Sequence, residues 1–126
     1  MAQTLQRLRR RREFLNVAGN GRKFAAPGLV LQALDRTGDA AGQPNDESVR
    51  VGFTVTRKVG NAVIRNRVRR RLRAAAAEIV PTHARQGFDL VLIGRAGTRN
   101  RRYEDLTADL TEALRRVGAS RNGDDK

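Results

Sequence analysis

Residues 48–81 read SVRVGFTVTRKVGNAVIRNRVRRRLRAAAAEIVP, and this stretch predicts a strand followed directly by a helix. Over residues 48–56, apolar and polar side chains alternate strictly, as in a half-buried strand. Over residues 61–80, apolar side chains recur at helical spacing, and Pro81 predicts that the helix ends at or before Val80. Residues 88–95, FDLVLIGR, are almost continuously apolar, which is typical of a strand buried on both faces. Together they predict a strand–helix–strand crossover unit.

The rest of the chain predicts further elements around this unit. A short helix is expected through residues 13–17, and Gly19-Asn20-Gly21 is a helix-stop signal. Residues 22–34 read as two short strands separated by a turn, and residues 103–117 as an amphipathic helix. We therefore predict an α/β fold, an α+β sandwich of order α-β-β-β-α-β-α with a four-stranded sheet.

Charge restricts the class of partner. Lys and Arg number 26 against 13 Asp and Glu, a formal net charge of +13. Such a surface favours a polyanion, and nucleic acid is the usual one. A membrane surface is the alternative, but the chain has no apolar run of 18 residues and its basic helix lacks Trp and Phe anchors. The absence of cysteine excludes disulfides and thiolate metal sites and fits a cytoplasmic location.

The length predicts a single domain over residues 1–126, and the charge makes nucleic acid its expected partner. Within it we expect an ordered core over about residues 7–117. An acidic loop at 35–47 is expected to face away from the nucleic acid, and a polar tail at 118–126 is expected to fray.

Positive charge is densest in residues 57–73, which contain eight cations and no acid: Arg57, Lys58, Arg65, Arg67, Arg69, Arg70, Arg71 and Arg73. Like charges at i and i+4 on a helix cost a few tenths of a kcal/mol per pair. A sequence that keeps this repulsion over two turns is typical of a helix that binds an anion. A merely solvated basic face is the alternative, and charge alone does not separate RNA from DNA.

The run TVTRKVGNAVIRNRVRR, residues 54–70, closely resembles the signature of the bacterial ribonuclease P protein family. The resemblance extends over about residues 7–117. It includes Leu8, Phe14, Val17, Gly21 and Phe24 in the first helix and strand, Phe88-Asp89-Leu90-Val91-Leu92-Ile93 in the last strand, and Tyr103-Glu104 in the last helix. It implies the same α-β-β-β-α-β-α order, with a left-handed β-α-β crossover.

The resemblance also implies a function. In this family the RNA subunit carries the active site, and the protein binds that catalytic RNA and the 5′ leader of precursor tRNA. The protein thereby promotes endonucleolytic removal of the leader. We therefore expect an accessory subunit, without catalysis of its own, in a cytoplasmic ribonucleoprotein hydrolase. Its cofactors would be the catalytic RNA and Mg²⁺ held mainly by that RNA, with no membrane and no required protein partner.

Carried over position by position, the resemblance implies two sets of binding residues. The catalytic RNA would contact Arg57, Lys58, Asn61, Asn66, Arg67 and Arg70. A cleft between the first helix and the sheet would take the leader, with Phe14, Val17, Ala18, Val30, Gln32, Thr54, Arg65, Arg69 and Arg73 as its binding residues. Ala18 and Gln32 stand where family members often have aromatics, which predicts a weaker leader contact. Phe14 has a second interpretation, as a core residue of an amphipathic helix.

No group of residues with the chemistry of a catalytic site stands out, and no catalytic or metal-ligating residue is predicted. His83 is the single histidine and is expected in an exposed loop, and the acids of residues 35–47 lack the spacing of a calcium loop. Two alternatives remain: a structural RNA-binding protein, such as a ribosomal protein, and a self-contained nuclease. The GNAVIRNR run disfavours the first, and the missing catalytic cluster disfavours the second.

Overall fold

The fold seen in the computed structural model, which describes residues 5–36 and 48–121, is a five-stranded sheet with helices on both faces. In these residues the strands are β1 (Leu5–Arg7), β2 (Arg22–Ala25), β3 (Leu29–Asp35), β4 (Val49–Thr54) and β5 (Phe88–Gly94). The helices are α1 (Arg11–Asn20), α2 (Ala62–His83) and α3 (Tyr103–Arg116), with 3₁₀ turns at Arg57–Val59 and Ala96–Asn100. The mixed α/β class predicted from the sequence is confirmed.

The sheet has the strand order β1-β4-β5-β3-β2, with β5 at its centre. β4 and β5 are parallel neighbours joined by α2, so the predicted crossover unit is confirmed. β3 runs antiparallel to both β5 and β2. The central place of β5 agrees with the burial on both faces that its apolar run predicts.

The prediction of four strands is wrong, because β1 adds a fifth. It lies parallel to β4, with Leu5 opposite Val49 and Arg7 opposite Val51. The backbone N–H of Leu8 then donates to the carbonyl oxygen of Val51 at 3.0 Å. β1 forms because the outer edge of β4 offers unpaired backbone groups, and not because its own sequence has strand periodicity.

Two layers of apolar side chains cover the sheet. The larger core packs α2 and α3 against one face and includes Leu31 of β3, Val51 of β4 and Leu92 of β5. A smaller cluster of Leu8, Val17 and Val91 lies under α1 on the opposite face. Alternate residues of each strand therefore face α1.

The C-terminal part of α2 corrects two predictions. Pro81 lies inside the helix instead of ending it, since a proline near the end removes one backbone bond and the N–H of Ala84 still donates to Val80 at 3.1 Å. His83 is consequently half-buried in the last helical turn, not in an exposed loop. No helix in residues 5–36 and 48–121 is long and apolar enough to cross a membrane.

The expected loop and tail are only partly described. Residues 37–47 of the acidic loop and residues 122–126 of the tail lie outside the described residues. The start of the tail does not fray as expected, because Ala119 is buried and accepts a backbone hydrogen bond from Arg85 at 2.8 Å. The N–H of Arg121 donates to the carbonyl of His83 at 2.7 Å, which closes this contact.

Candidate nucleic-acid interface

Helix α2 carries cations on both flanks of its buried stripe. The stripe predicted from the sequence is present, with Val68 and Leu72 fully buried. At about 100° per residue, Arg65, Arg69 and Arg73 follow one flank of the stripe, and Arg67 and Arg70 lie on the other. The helix therefore presents two cationic surfaces that face in different directions.

The start of α2 is fixed by Asn61. Its side-chain oxygen accepts a hydrogen bond from the N–H of Ile64 at 3.0 Å, which confirms the predicted N-cap. Arg57 and Lys58 lie exposed in the 3₁₀ turn just before it. Asn66 is also exposed, and its side-chain oxygen accepts a hydrogen bond from Arg69 at 3.2 Å. The residues predicted to bind the catalytic RNA thus lie along the first turns of α2 and the turn that precedes it.

A groove of about 510 Å³ lies between α1 and the end of β4, and we name it the α1–β4 groove. It brings together three residues predicted to bind the leader, Phe14, Thr54 and Arg69. Five further lining residues were not predicted: Arg9, Arg11, Leu15, Phe53 and Val55. Arg9 and Arg11 belong to a basic run at residues 7–12, RLRRRR, which is the sequence signal that could have found them. The 56% exposure of Leu15 depends on the rotation of α1.

Phe14 forms one wall of this groove and also covers the sheet. A Cβ atom built on Gly52 would lie 2.6 Å from two carbons of the Phe14 ring, so the ring packs directly over the glycine backbone. Phe14 also contacts the small cluster under α1 and is half-buried. Both interpretations of Phe14, as a core residue and as a groove residue, therefore apply to the same ring.

One leader-binding prediction is wrong. Val17 is 1% exposed and packs with Leu8 and Val91 beneath α1, so its side chain cannot contact RNA. The remaining predicted residues are not among those that line the groove: Ala18, Val30, Gln32, Arg65 and Arg73.

Three of these still lie close to the groove or remain accessible beside it. Val30 aligns across β5 with Thr54, through Ile93, on the face of the sheet that carries α1. Arg73 places its guanidinium carbon 6.0 Å from the centre of the Phe53 ring, a cation–π contact. Arg65 is half-buried, and its Nε has no hydrogen-bond partner among the described residues.

A second concave site lies on the other flank of α2, and we name it the α2–α3 pocket. It has a volume of about 380 Å³ and is lined by Arg67, Arg70, Arg71, Ala74 and Tyr103. Arg71 has a structural role here, because its Nε donates to the carbonyl of Thr98 at 3.1 Å and its Nη2 donates to the carbonyl of Arg101. Tyr103 was not among the predicted site residues.

A buried ion network joins β4 and β5 on the face of the sheet that α1 covers. The carboxylate of Asp89, on β5, is 2% exposed and accepts a hydrogen bond from Arg36 at 2.7 Å. It accepts two more from Arg50 of β4, at 2.7 and 2.6 Å. Arg36 therefore has a structural role, although the sequence placed it in the acidic loop.

Glu13 connects this network to α1. One of its carboxylate oxygens accepts a hydrogen bond from Arg50 at 3.2 Å, and the other accepts the backbone N–H groups of Arg9 and Arg10 at 3.0 Å each. These backbone bonds, that of Arg10 first, and the charge of Arg50 lower the pKa of Glu13 below 4.5. The helix that forms one side of the groove is thereby attached to the sheet that forms its floor.

The model of the ribonuclease P family matches residues 2–118. The chain belongs to this family. The ribonuclease P protein component of Paramagnetospirillum magneticum is 54% identical over 119 residues, which cover 94% of this chain and 87% of the relative. That of Gluconacetobacter diazotrophicus is 52% identical over 118 residues, covering 94% of this chain and 96% of the relative.

Solved ribonuclease P proteins share the fold. The protein from Thermotoga maritima superposes with a TM-score of 0.71 at 25% identity, covering 89% of this chain and 97% of that one. The protein from Staphylococcus aureus also gives 0.71, at 19% identity, with 90% and 95% covered. The predicted family is confirmed, and with it the family's role, 5′ processing of tRNA together with an RNA subunit.

Proposed function

We propose that this ribonuclease P protein binds two RNA segments on opposite flanks of α2. On one flank the catalytic RNA contacts the exposed residues Arg57, Lys58, Asn61, Asn66, Arg67 and Arg70. On the other, the α1–β4 groove takes the single-stranded 5′ leader of precursor tRNA. The observation that carries this proposal is the separation of the two cationic surfaces by the buried stripe of α2.

The α1–β4 groove has the composition that a single strand requires. Its rim carries the guanidinium groups of Arg9, Arg11 and Arg69, which suit phosphate oxygens. Its walls include the rings of Phe14 and Phe53, on which unpaired bases stack without strong sequence preference. We therefore assign the leader to this groove, with phosphates at the rim and bases toward the rings.

The chemistry of leader removal belongs to the RNA subunit in this proposal. Mg²⁺ favours hard oxygen ligands and retains several of its waters, which closely spaced phosphates of a folded RNA accommodate. Within residues 5–36 and 48–121, no group of three His, Cys, Asp or Glu side chains could hold a metal ion. The protein's part is to bind and orient the precursor beside those ions, and we place the assembly in the cytoplasm.

The first test is cleavage of a precursor tRNA at low Mg²⁺ concentration by the protein alone, the catalytic RNA alone and both together. We expect cleavage from the pair and none from the protein alone. Cleavage by the protein alone would show that it contains an active site. A protein that does not stimulate the RNA would instead be a structural RNA-binding protein.

Paired variants test the assignment of the two flanks. Arg67→Ala with Arg70→Ala should weaken binding of the catalytic RNA by several kcal/mol, since hydrogen bonds to charged groups contribute about 1.5–3 kcal/mol each. Arg11→Ala with Arg69→Ala should instead reduce the preference for precursor tRNA over leaderless tRNA. Arg115, which is exposed and paired with Glu112 on α3, provides a control at Arg115→Ala. Equal effects of both double variants on both affinities would contradict separate sites.

A further inference from the structure

The α2–α3 pocket contains an aromatic ring that the proposed function has not used. Tyr103 is the first residue of α3 and is 38% exposed, one of few large apolar side chains in the described residues to be so open. Three arginine side chains and Ala74 form the rest of the pocket. A single exposed ring is ordinary on a protein surface, so the inference depends on the groups that surround this one.

Contacts with α2 fix the position of the Tyr103 ring. Its hydroxyl donates to the carboxylate of Glu78 on α2 at 2.9 Å, and burial followed by this hydrogen bond raises the pKa of Tyr103. The phenol therefore stays neutral at physiological pH. Arg71, bonded to two backbone carbonyls, fixes the neighbouring side of the pocket.

The other two arginines are available for a ligand. Arg67 and Arg70 are both exposed, and neither makes a hydrogen bond or an ion pair with another residue of the described ranges. Like charges gathered on one side of a helix repel one another unless an anion lies between them. The pocket thus combines a fixed aromatic face with two unpaired guanidinium groups.

A nucleotide satisfies both features at once. Its base offers a flat face for the ring, and its phosphates pair with guanidinium groups. An acidic peptide would pair with the arginines but would leave the ring unused. A base inside an A-form duplex is stacked on both sides and cannot reach a protein ring, so the nucleotide must be unpaired.

We propose that Tyr103 stacks on an unpaired base of the catalytic RNA, while Arg67 and Arg70 bind the adjoining phosphates. The catalytic RNA, and not the leader, is the source because the pocket lies on the opposite flank of α2 from the α1–β4 groove. This inference rests on the proposed function and adds to it a base contact that no charge pattern indicates.

Affinity measurements with the full chain and the folded catalytic RNA test the stack. Tyr103→Ala should weaken binding by about five- to a hundredfold, the range that removal of a stacked aromatic produces. Tyr103→Phe keeps the ring and should stay within about twofold of the wild type. Gln86→Ala, at an exposed position in the loop between α2 and β5, is the control for loss of an exposed side chain. Thermal melts of each variant report whether it folds.

Fluorescence gives a second readout that does not depend on the alanine variant. The chain has one Tyr and no Trp, so its tyrosine emission reports on Tyr103 alone. Catalytic RNA should quench this emission, whereas polyphosphate at saturating concentration should not, since it offers charge without a base. Equal binding by Tyr103→Ala, or equal quenching by both polyanions, would overturn the stack. Failure of the wild type to bind the catalytic RNA would instead overturn the proposed function.

Discussion

Replacement of Asp89 by alanine tests whether the buried ion network under α1 stabilises the fold. The change removes three hydrogen bonds between a carboxylate and two guanidinium groups. It breaks the ion pair between Asp89 and Arg36, whose side chain is 4% exposed. Breaking a buried ion pair from one side costs about 3–5 kcal/mol.

The lower end of that range applies here. Arg36 keeps hydrogen bonds to the carbonyls of Phe88 and Ser48, at 3.1 and 2.8 Å, and Arg50 keeps its bond to Glu13. We therefore expect a loss of about 3 kcal/mol, a large share of the roughly 5–15 kcal/mol by which domains of this size are stable. In urea unfolding, with a slope of about 1–3 kcal/mol per molar, the midpoint should fall by about 1–3 M.

The matched control is Glu104→Ala, which breaks a surface pair with Arg102 in which both side chains are 74% exposed. Such pairs contribute about 0–1 kcal/mol. Asp89→Asn keeps the shape of the side chain without its charge and should fall between the two. If Asp89→Ala cost no more than the Glu104 control, the network would not stabilise the fold, and its role in attaching α1 to the sheet would be refuted.

Three further predictions concern the groove, its helix and the RNA. Gly52→Ala places a Cβ against the Phe14 ring and should cost about 1–3 kcal/mol in urea unfolding, whereas Gly19→Ala, where a Cβ meets nothing within 4 Å, should cost nothing. An increase in stability for Gly52→Ala would show that the Phe14 ring moves aside without an energetic cost. Glu13 has a pKa lowered chiefly by the backbone N–H of Arg10, so its stabilisation is complete above pH 4.5 and is lost as pH falls through the lowered pKa. Thermal melts of Glu13→Gln should therefore show a weaker dependence on pH below 4.5 than those of the wild type, and parallel curves would contradict the assignment. Binding to single-stranded RNA should fall with salt at a log–log slope near −6 for about eight phosphate contacts, and a slope near zero would mean that the basic helix is only solvated.

The strand–helix–strand unit could be predicted because its elements are long and each keeps one period. Residues 61–80 gave the helix that the structure places at Ala62–His83, and the apolar run at 88–95 gave the central strand. α3 was predicted within one residue of its observed end at Arg116. In each case the periodicity of the sequence and the burial of the apolar side chains in the fold favour the same secondary structure.

Other parts depend on contacts that a linear pattern does not contain. β1 has only three residues, Leu5–Arg7, without a strand pattern, and exists through pairing with β4. Arg36 and Asp89 are separated by 53 positions, and only the pairing of β3 with β5 brings them together. In a sequence, such a buried arginine looks the same as one in a polar loop.

In the candidate site, too, some features follow from sequence periodicity and others depend on tertiary contacts. Helical spacing places Phe14 and Val17 on one side of α1, and both were predicted to bind the leader. The sequence does not specify how deeply that side is inserted, which leaves Phe14 at the groove and Val17 under the helix. Thr54 and Arg69, which also line the groove, could be named from the resemblance because both residues belong to the motif at 54–70.

The buried stripe of α2 fixes the two proposed RNA-binding surfaces relative to each other. Val68 and Leu72 are fully buried between the sheet and α3, so the helix cannot rotate to exchange its flanks. In the proposed function, an RNA on the Arg67 flank and a strand in the α1–β4 groove would therefore be held at a separation close to the diameter of one helix, about 10–12 Å. Because the separation is fixed, binding at both surfaces would also orient the substrate relative to the catalyst. A flexible basic tail of equal charge would bind RNA without orienting it. The proposal therefore requires a folded helix, even though it assigns the chemistry to the RNA subunit.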